Sequence, residues 1–336
     1  MKKLSFLLLA IVILFATYFI SCEKNTEKIN KNNEVQKIIT ITPLTHPSLD
    51  LAIDGFLQGL IEKGYDKNKL DFVIMNANGD FSKIPSLTKS AISKKPKLIF
   101  VLTTPAASTA IKITNPKKIP IVYTAVTDPV SAGIVSDMNN STTLATGVSD
   151  RYPVEEQVKV FINILPSMKS AAIIYNPSEE NSQILVKQTI KAMKDIGVNC
   201  FKFEIRNASE ISSQTKQALS KHDCIIVNGD NLATENLSII INLCIKYQKP
   251  LFVGDPDSVR KGAVATVGPS YYSLGIRSGY KAAKILNGTS PKVIPSEYPN
   301  SFDYILNTDA AKKMGVSVPN IFWDSRSIWE SNAKTK

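Results

Sequence analysis

The chain has 336 residues, 43% of them apolar, and a formal net charge of +11. That apolar fraction excludes a disordered chain, and the length suits two domains, each with a core of its own. The charge does not mark a nucleic-acid binder: the basic residues stand singly or in short pairs such as Lys94-Lys95, Lys117-Lys118 and Arg260-Lys261, without a basic helix or a basic-aromatic platform.

The N-terminus sets the compartment. Met1-Lys2-Lys3 is basic, Leu4 to Ile20 is almost unbroken apolar, and Ser21-Cys22 leads into a polar, charged run. This pattern predicts a secretory signal peptide over residues 1–21. Phe19-Ile20-Ser21-Cys22 resembles a bacterial lipobox, in which Cys22 becomes the acylated first residue, although the pattern usually has an aliphatic residue where Phe19 stands. Acylation would anchor an exported protein to the cell membrane, facing periplasm or exterior. An ordinary signal peptide and an uncleaved anchor stay open, and both also place the folded part outside the cytoplasm. Residues 22–36 lack an apolar period and are expected to form a flexible tether.

Beyond the tether, strands and helices alternate. Ile38 to Thr42 is predicted as a strand. Leu49 to Lys63 follows as a helix whose Leu49, Ile53, Phe56, Leu57 and Leu60 share one face, ended by Gly64. Leu70 to Asn76 is a strand, Ile84 to Lys94 a helix, Leu98 to Leu102 a buried strand, Ala106 to Ile113 a helix and Ile121 to Thr124 a strand. The rhythm restarts after Pro153. Helices are predicted at Val154 to Leu165, Asn181 to Ile196, Ile211 to Ser220 and Thr234 to Tyr247. They alternate with strands at Ser170 to Tyr175, Cys200 to Glu204, Cys224 to Val227 and Leu251 to Val253.

This order means right-handed crossovers and parallel sheets. The halves repeat at a spacing of about 130 residues: Lys97-Leu98-Ile99-Phe100-Val101 and Ile119-Pro120-Ile121-Val122 match Asp223-Cys224-Ile225-Ile226-Val227 and Lys249-Pro250-Leu251-Phe252. The expected fold is α/β, with two Rossmann-like doubly wound lobes joined by a three-strand hinge. Lobe 1 is expected to comprise 37–149 plus 269–300, and lobe 2 to comprise 150–268 plus 301–336. The chain would cross near Ser149–Pro153, Val267–Ser270 and Asn300–Asp303. Ligands of open α/β sheets bind beyond the carboxyl ends of the strands, so two facing lobes predict a clamshell cleft.

Polar residues gather at those strand ends. In the first half they include His46, Thr104, Ser108, Thr127 and Asp128. In the second half they include Tyr175, Asn176, Asn228, Asp230 and Asp255. Several could serve only as helix N-caps. As a group, hydroxyls beside a helix N-terminus suit a carboxylate, and opposing acids suit an ammonium group, which together describe a pocket for a small zwitterion. Tyr123, Tyr271 and Tyr272 could stack on an aromatic ligand or serve as core or hinge residues.

The stretches THPSLDLAIDGFLQGL, TTPAAS, PIVYTAVTDPVSAGIV, TGVSD, IIYNPSEENS and PLFVGDPDSVRKGAVATVG resemble the ABC-transporter substrate-binding lipoproteins of the tryptophan/tyrosine-binding type, over roughly residues 38–318. The resemblance implies the type I periplasmic-binding-protein fold and delivery of a ligand, an amino acid and an aromatic one among the candidates, to a separate permease and ATPase. It implies that Thr104 and Ser108, with the Ala106 and Ala107 N–H groups, face a carboxylate, aided by Thr127. Asp255 would hold the α-ammonium, and His46, Tyr175, Asn228 and Asp230 would line the side-chain end. Asn228-Gly229-Asp230-Asn231 and Pro256 depart from the pattern and leave side-chain specificity open.

No nucleophile elbow, P-loop or dinucleotide loop is present, and His46 and His222 lie far apart in sequence, outside any metal-spaced cluster. The chain is therefore expected to be no enzyme and to need no cofactor or metal. Cys200, Cys224 and Cys244 sit in apolar contexts and are expected as buried free thiols. A nucleoside, sugar or other small solute in the same fold stays open, as does a surface sensor or adhesin lipoprotein.

Overall fold

The computed structural model of the chain describes residues 35–318. The expected signal peptide, Cys22, most of the tether and residues 319–336 lie outside the described residues.

One sheet holds β1 (Gln36–Thr42), β2 (Leu70–Asn76), β3 (Leu98–Leu102), β4 (Ile121–Val126) and β5 (Ala145–Ser149). Its order is β2-β1-β3-β4-β5, parallel throughout. Leu98-Ile99-Phe100-Val101-Leu102 is unbroken apolar because β3 is covered on both faces. On one side Phe56 of helix α1 (Pro47–Glu62) stacks on Phe100, ring centroids 4.0 Å apart. On the other, Ile99 and Val101 share a core with Ala106, Ala107 and Ala110 of α3 (Thr104–Thr114) and with Ile84 and Ala91 of α2 (Ile84–Ser93).

The second sheet holds β6 (Ser170–Tyr175), β7 (Asn199–Glu204), β8 (Cys224–Val227), β9 (Leu251–Val253), β10 (Ala265–Gly268) and β11 (Asp303–Leu306). It runs β11-β10-β9-β8-β6-β7, and only β11 is antiparallel to its neighbour. Its helices are α4 (Val154–Ile164), α5 (Glu180–Asp195), α6 (Ala208–Lys221), α7 (Asn231–Glu235), α8 (Leu237–Tyr247) and α9 (Pro256–Arg260), followed after two further crossings by α11 (Thr308–Lys313). Phe161 of α4 stacks on Phe252 of β9 at 4.5 Å within this lobe's core.

The remaining helix, α10 (Tyr271–Leu286), belongs by packing to the first lobe. A Cβ at Gly55, Gly59, Gly275 or Gly279 would fall on the backbone of the facing helix, so α1 and α10 meet main chain to main chain. The chain passes between sheets after Ser149, again between Gly268 and Tyr271, and a third time before Asp303. The last connection is tied to the first lobe by Ser149 N–H donating to the Glu297 carbonyl at 2.8 Å. Lys281 and Arg277 of α10 both bind the Glu297 carboxylate.

Three strands, β5, β10 and β11, and three helices, α9, α10 and α11, add to the elements expected from periodicity. The helix expected over Thr234 to Tyr247 is instead two, α7 and α8, joined through Asn236. Cys224 and Cys244 are buried and free, as expected, while free Cys200 is only half-buried on edge strand β7. His222 stacks on Phe201 at 4.6 Å, away from the cleft. Among the described residues no helix is long and apolar enough to cross a membrane.

Candidate functional site: a cleft between the two lobes

Each sheet changes direction of growth at one place: between β1 and β3 in the first, between β6 and β8 in the second. Loops leaving such neighbours splay apart and open a crevice. The two crevices face each other. The carboxyl ends of β1, β3 and β4 and the turns and helix starts after them supply His46, Ser48, Thr103, Thr104, Ala125 and Thr127. The second lobe supplies Asn181, Gly229, Asp230, Asn231, Thr234 and Asp255, and the hinge supplies Asp150, Tyr152 and Tyr271. They enclose about 50 Å³ of space, below the range typical of small-molecule sites, so a ligand needs the lobes further apart than they stand here.

The lobes are closed on one another. The Ser48 hydroxyl donates to Asp255 Oδ1 across the cleft at 2.9 Å, and at the rim Gly79 packs against Glu235.

Two features mark the first-lobe wall. Thr103 and Ala125 both have positive φ, 74° and 60°, costly for residues with a Cβ and concentrated in proteins at binding sites. They turn the chain sharply at the ends of β3 and β4. Helix α3 begins there, and its N-cap Thr103 makes no side-chain capping bond; the Thr103 hydroxyl has no partner among the described residues either. Beside it, His46 is 3% exposed. Its Nδ1 accepts the Ser48 N–H at 3.3 Å. In a neutral imidazole the proton then sits on Nε2, and this buried Nε2–H has no partner among the described residues. Burial holds the ring pKa below its usual value and favours that neutral form.

The hinge carries a carboxylate. Asp150, 5% exposed, accepts the Tyr271 hydroxyl at 2.7 Å and the Thr127 hydroxyl at 3.4 Å. Tyr152 in turn bonds the Tyr271 hydroxyl at 2.7 Å. Among the described residues Asp150 forms no ion pair, and no lysine or arginine lines the cleft. Burial pushes the Asp150 carboxyl up to about 6.

The residues singled out from sequence divide in two. His46, Thr104, Thr127, Asp230 and Asp255 meet in the cleft. Asp230 and Asp255 are also N-caps there: Asp230 takes the Ala233 N–H at 2.8 Å and the Ser182 hydroxyl at 2.6 Å, while Asp255 takes the Ser258 N–H at 2.9 Å. Thr104 accepts the Thr127 N–H at 3.2 Å.

The others stand outside the lining. Ala106 and Ala107 are packed in the core, and the Ala107 N–H is already bonded to the Thr103 carbonyl. The Ser108 hydroxyl turns back to the Pro105 carbonyl at 3.3 Å, and Asp128 accepts the Ser131 N–H at 3.0 Å. The Tyr175 hydroxyl reaches Glu204 at 3.1 Å. Asn176 lies in an outer space between the lobes, and Asn228 is held beneath the floor by Gln157 and Thr189. Of the three tyrosines, Tyr271 lines the cleft, Tyr123 is in the first-lobe core and Tyr272 is exposed.

Sequence reasoning missed Asp150, Tyr152, Thr103, Ser48 and Asn181 as lining residues. The position of Asp150 carried a signal: TGVSD ends in an acid at the expected first crossing, where a residue faces both lobes. Thr103 carried none, since its conformation is visible only in three dimensions.

Two parallel-sheet lobes closing over a polar cleft at their switch points define a type I periplasmic-binding-protein fold. Residues 37–324 match the family model described as ABC transporter substrate binding protein, and the chain belongs to that family. It is 32% identical, over 93% of its length and 92% of the relative's, to a tyrosine-binding protein of Clostridioides difficile (strain R20291). It is similar, at 27% identity and a TM-score of 0.83, to the crystal structure of an ABC domain from Streptococcus pneumonia in complex with L-Trp, covering 87% of this chain and 99% of that one. A substrate-binding protein with adhesive properties from Clostridium difficile, in its ligand-free, open form, is 30% identical with a TM-score of 0.66, covering 88% of this chain and 99% of that one. The higher score against the L-Trp complex than against the open form accords with the Ser48–Asp255 bond across the cleft. Substrate-binding proteins of ABC transporters are extracytoplasmic, and the family is one of binders rather than catalysts.

Proposed function

We propose that this protein is the solute-binding component of an ABC importer and takes up an aromatic amino acid by hinge closure. The observation that carries this reading is Asp150, a buried carboxylate facing the cleft with no cation beside it. A buried unpaired charge is costly, and a ligand ammonium offsets that cost. Asp255 adds a second acceptor from the other lobe, so closure brings both acids onto the amine. The ligand carboxylate faces the uncapped start of α3, where the helix dipole, the Thr103 and Thr104 hydroxyls and the His46 Nε2–H favour an anion. Tyr152 and Tyr271 give the side chain aromatic walls. Each lobe alone offers half of the pairing, which is why ligand favours the closed state.

The tyrosine and tryptophan binding of the similar proteins supports an aromatic ligand here. Acylation at Cys22 supplies the anchor and a permease with its ATPase the partners in this reading; no bond is made or broken in the cleft. A thermal-shift screen of the purified protein against amino acids, nucleosides and sugars tests it. The expected result is a rise with tyrosine, tryptophan or phenylalanine. A rise confined to nucleosides or sugars, or to none of the panel, contradicts it.

A further inference from the structure

The floor of the cleft on the second lobe holds a buried acceptor without a hydrogen-bond partner among the described residues. Asn181 is 4% exposed, lines the cleft and sits in the first turn of α5. Its Nδ2 donates to the Gly229 carbonyl at 2.6 Å and lies 3.4 Å from Glu179 Oε2. Both neighbours are acceptors, so the orientation of the amide is fixed by chemistry: the nitrogen must face them and the oxygen must face away. That oxygen, Asn181 Oδ1, is buried and has no hydrogen-bond partner among the described residues.

Its holder is itself held. The Glu179 carboxylate accepts Asn231 N–H at 3.1 Å and Leu232 N–H at 3.2 Å at the start of α7, so the amide cannot swing round to satisfy itself without breaking this set. A buried carbonyl left without a donor costs free energy, and a ligand that brings an N–H or O–H removes that cost.

We infer that Asn181 is a specificity-determining residue that selects ligands with a second donor besides the ammonium, a side-chain phenol O–H or indole N–H rather than a plain benzyl ring. The inference rests on the aromatic amino-acid reading, in which Asp150 and Asp255 share the ammonium and the donor assigned to Asn181 is the one the side chain carries. A site built around a buried polar partner rejects the analogue lacking it far more strongly than an apolar pocket rejects a small change in size.

Calorimetric titration of the purified full-length protein with L-tyrosine, L-tryptophan and L-phenylalanine tests this. The wild-type comparison is independent of any variant's folding: tyrosine or tryptophan is expected to bind at least about tenfold tighter than phenylalanine. In Asn181→Leu the oxygen is gone, and the preference is expected to shrink to within about threefold, with circular dichroism checking the fold. Equal affinity of the wild type for all three, or a folded Asn181→Leu that keeps the full preference, overturns the role of Asn181 while leaving the amino-acid reading standing. Failure of all three to bind overturns the amino-acid reading and this inference with it.

Discussion

Asp150 shows what one residue is asked to do. Its carboxyl is held at about 6 by burial, against 3.8 ordinarily. A raised carboxylate pKa means the folded, ligand-free protein binds that proton more tightly than the unfolded chain. The folded state therefore gains stability as pH falls from about 6 towards 3.8 and loses it as pH rises through that window. At neutral pH the charged side chain costs on the order of 3 kcal/mol. Asp150→Asn is expected to raise the melting temperature of the ligand-free protein at pH 7 by a few degrees. The same change is expected to weaken amino-acid binding more than about tenfold, because the ammonium loses a buried partner. Wild-type affinity should also fall as pH drops below about 6, where the acid protonates. Calorimetry between pH 5 and 8 checks both affinities; a pH-independent affinity equal in both proteins removes Asp150 from the role.

At the same scale, five of the site residues named from sequence reached the cleft because acids, hydroxyls and a histidine at strand ends are legible as a class. Their division of labour was not. Ser108 and Asp128 have the right chemistry but spend it on their own turns. Asp255, expected as the partner of the ligand ammonium, also caps α9. Whether a side chain points inward or closes its own turn depends on backbone dihedrals such as φ 74° at Thr103, which a residue type does not encode.

Among the elements, α1 and α10 are the clearest case of a rule locally broken for a tertiary reason. Tyr271–Leu286 contains Gly275 and Gly279, which weaken a helix by roughly 1 kcal/mol each relative to alanine. Periodicity therefore hid the helix, although the expected boundary of the first lobe already enclosed it. The glycines face Ala52 and Phe56 of α1, whose own Gly55 and Gly59 return the contact. Gly279→Ala, a favourable change in an isolated helix, is expected to destabilise the protein by about 1–3 kcal/mol, because the Phe56 carbonyl occupies the space of the added methyl. Denaturant unfolding measures it, and an unchanged or raised midpoint would show that the helices separate without cost. Strands β3 and β8 were legible for the opposite reason: they are buried on both faces, so nothing interrupts their apolar runs. Strands β5 and β10, Ala-Thr-Gly-Val-Ser and Ala-Thr-Val-Gly, are short and rich in small residues because they run into the hinge, and no alternation betrays them.

For the whole molecule, the internal repeat proved the most informative signal. Two copies of one strand order put two switch points on the page, and the crossings fold them face to face. The hinge residues belong to neither copy, which is why Asp150, Tyr152 and Tyr271 fall outside what the repeat alone suggests. The closed lobes are bridged by the Ser48–Asp255 bond, and in the proposed reading the full pairing of charges waits on a ligand with two opposite ones. Titration of the protein with L-tyrosine, with tyramine, which lacks the carboxylate, and with 3-(4-hydroxyphenyl)propanoate, which lacks the amine, therefore tests the central claim most directly. The account predicts that tyrosine binds and that each analogue binds more than about tenfold more weakly. Either analogue binding as tightly as tyrosine, or no binding of tyrosine at all, would contradict it.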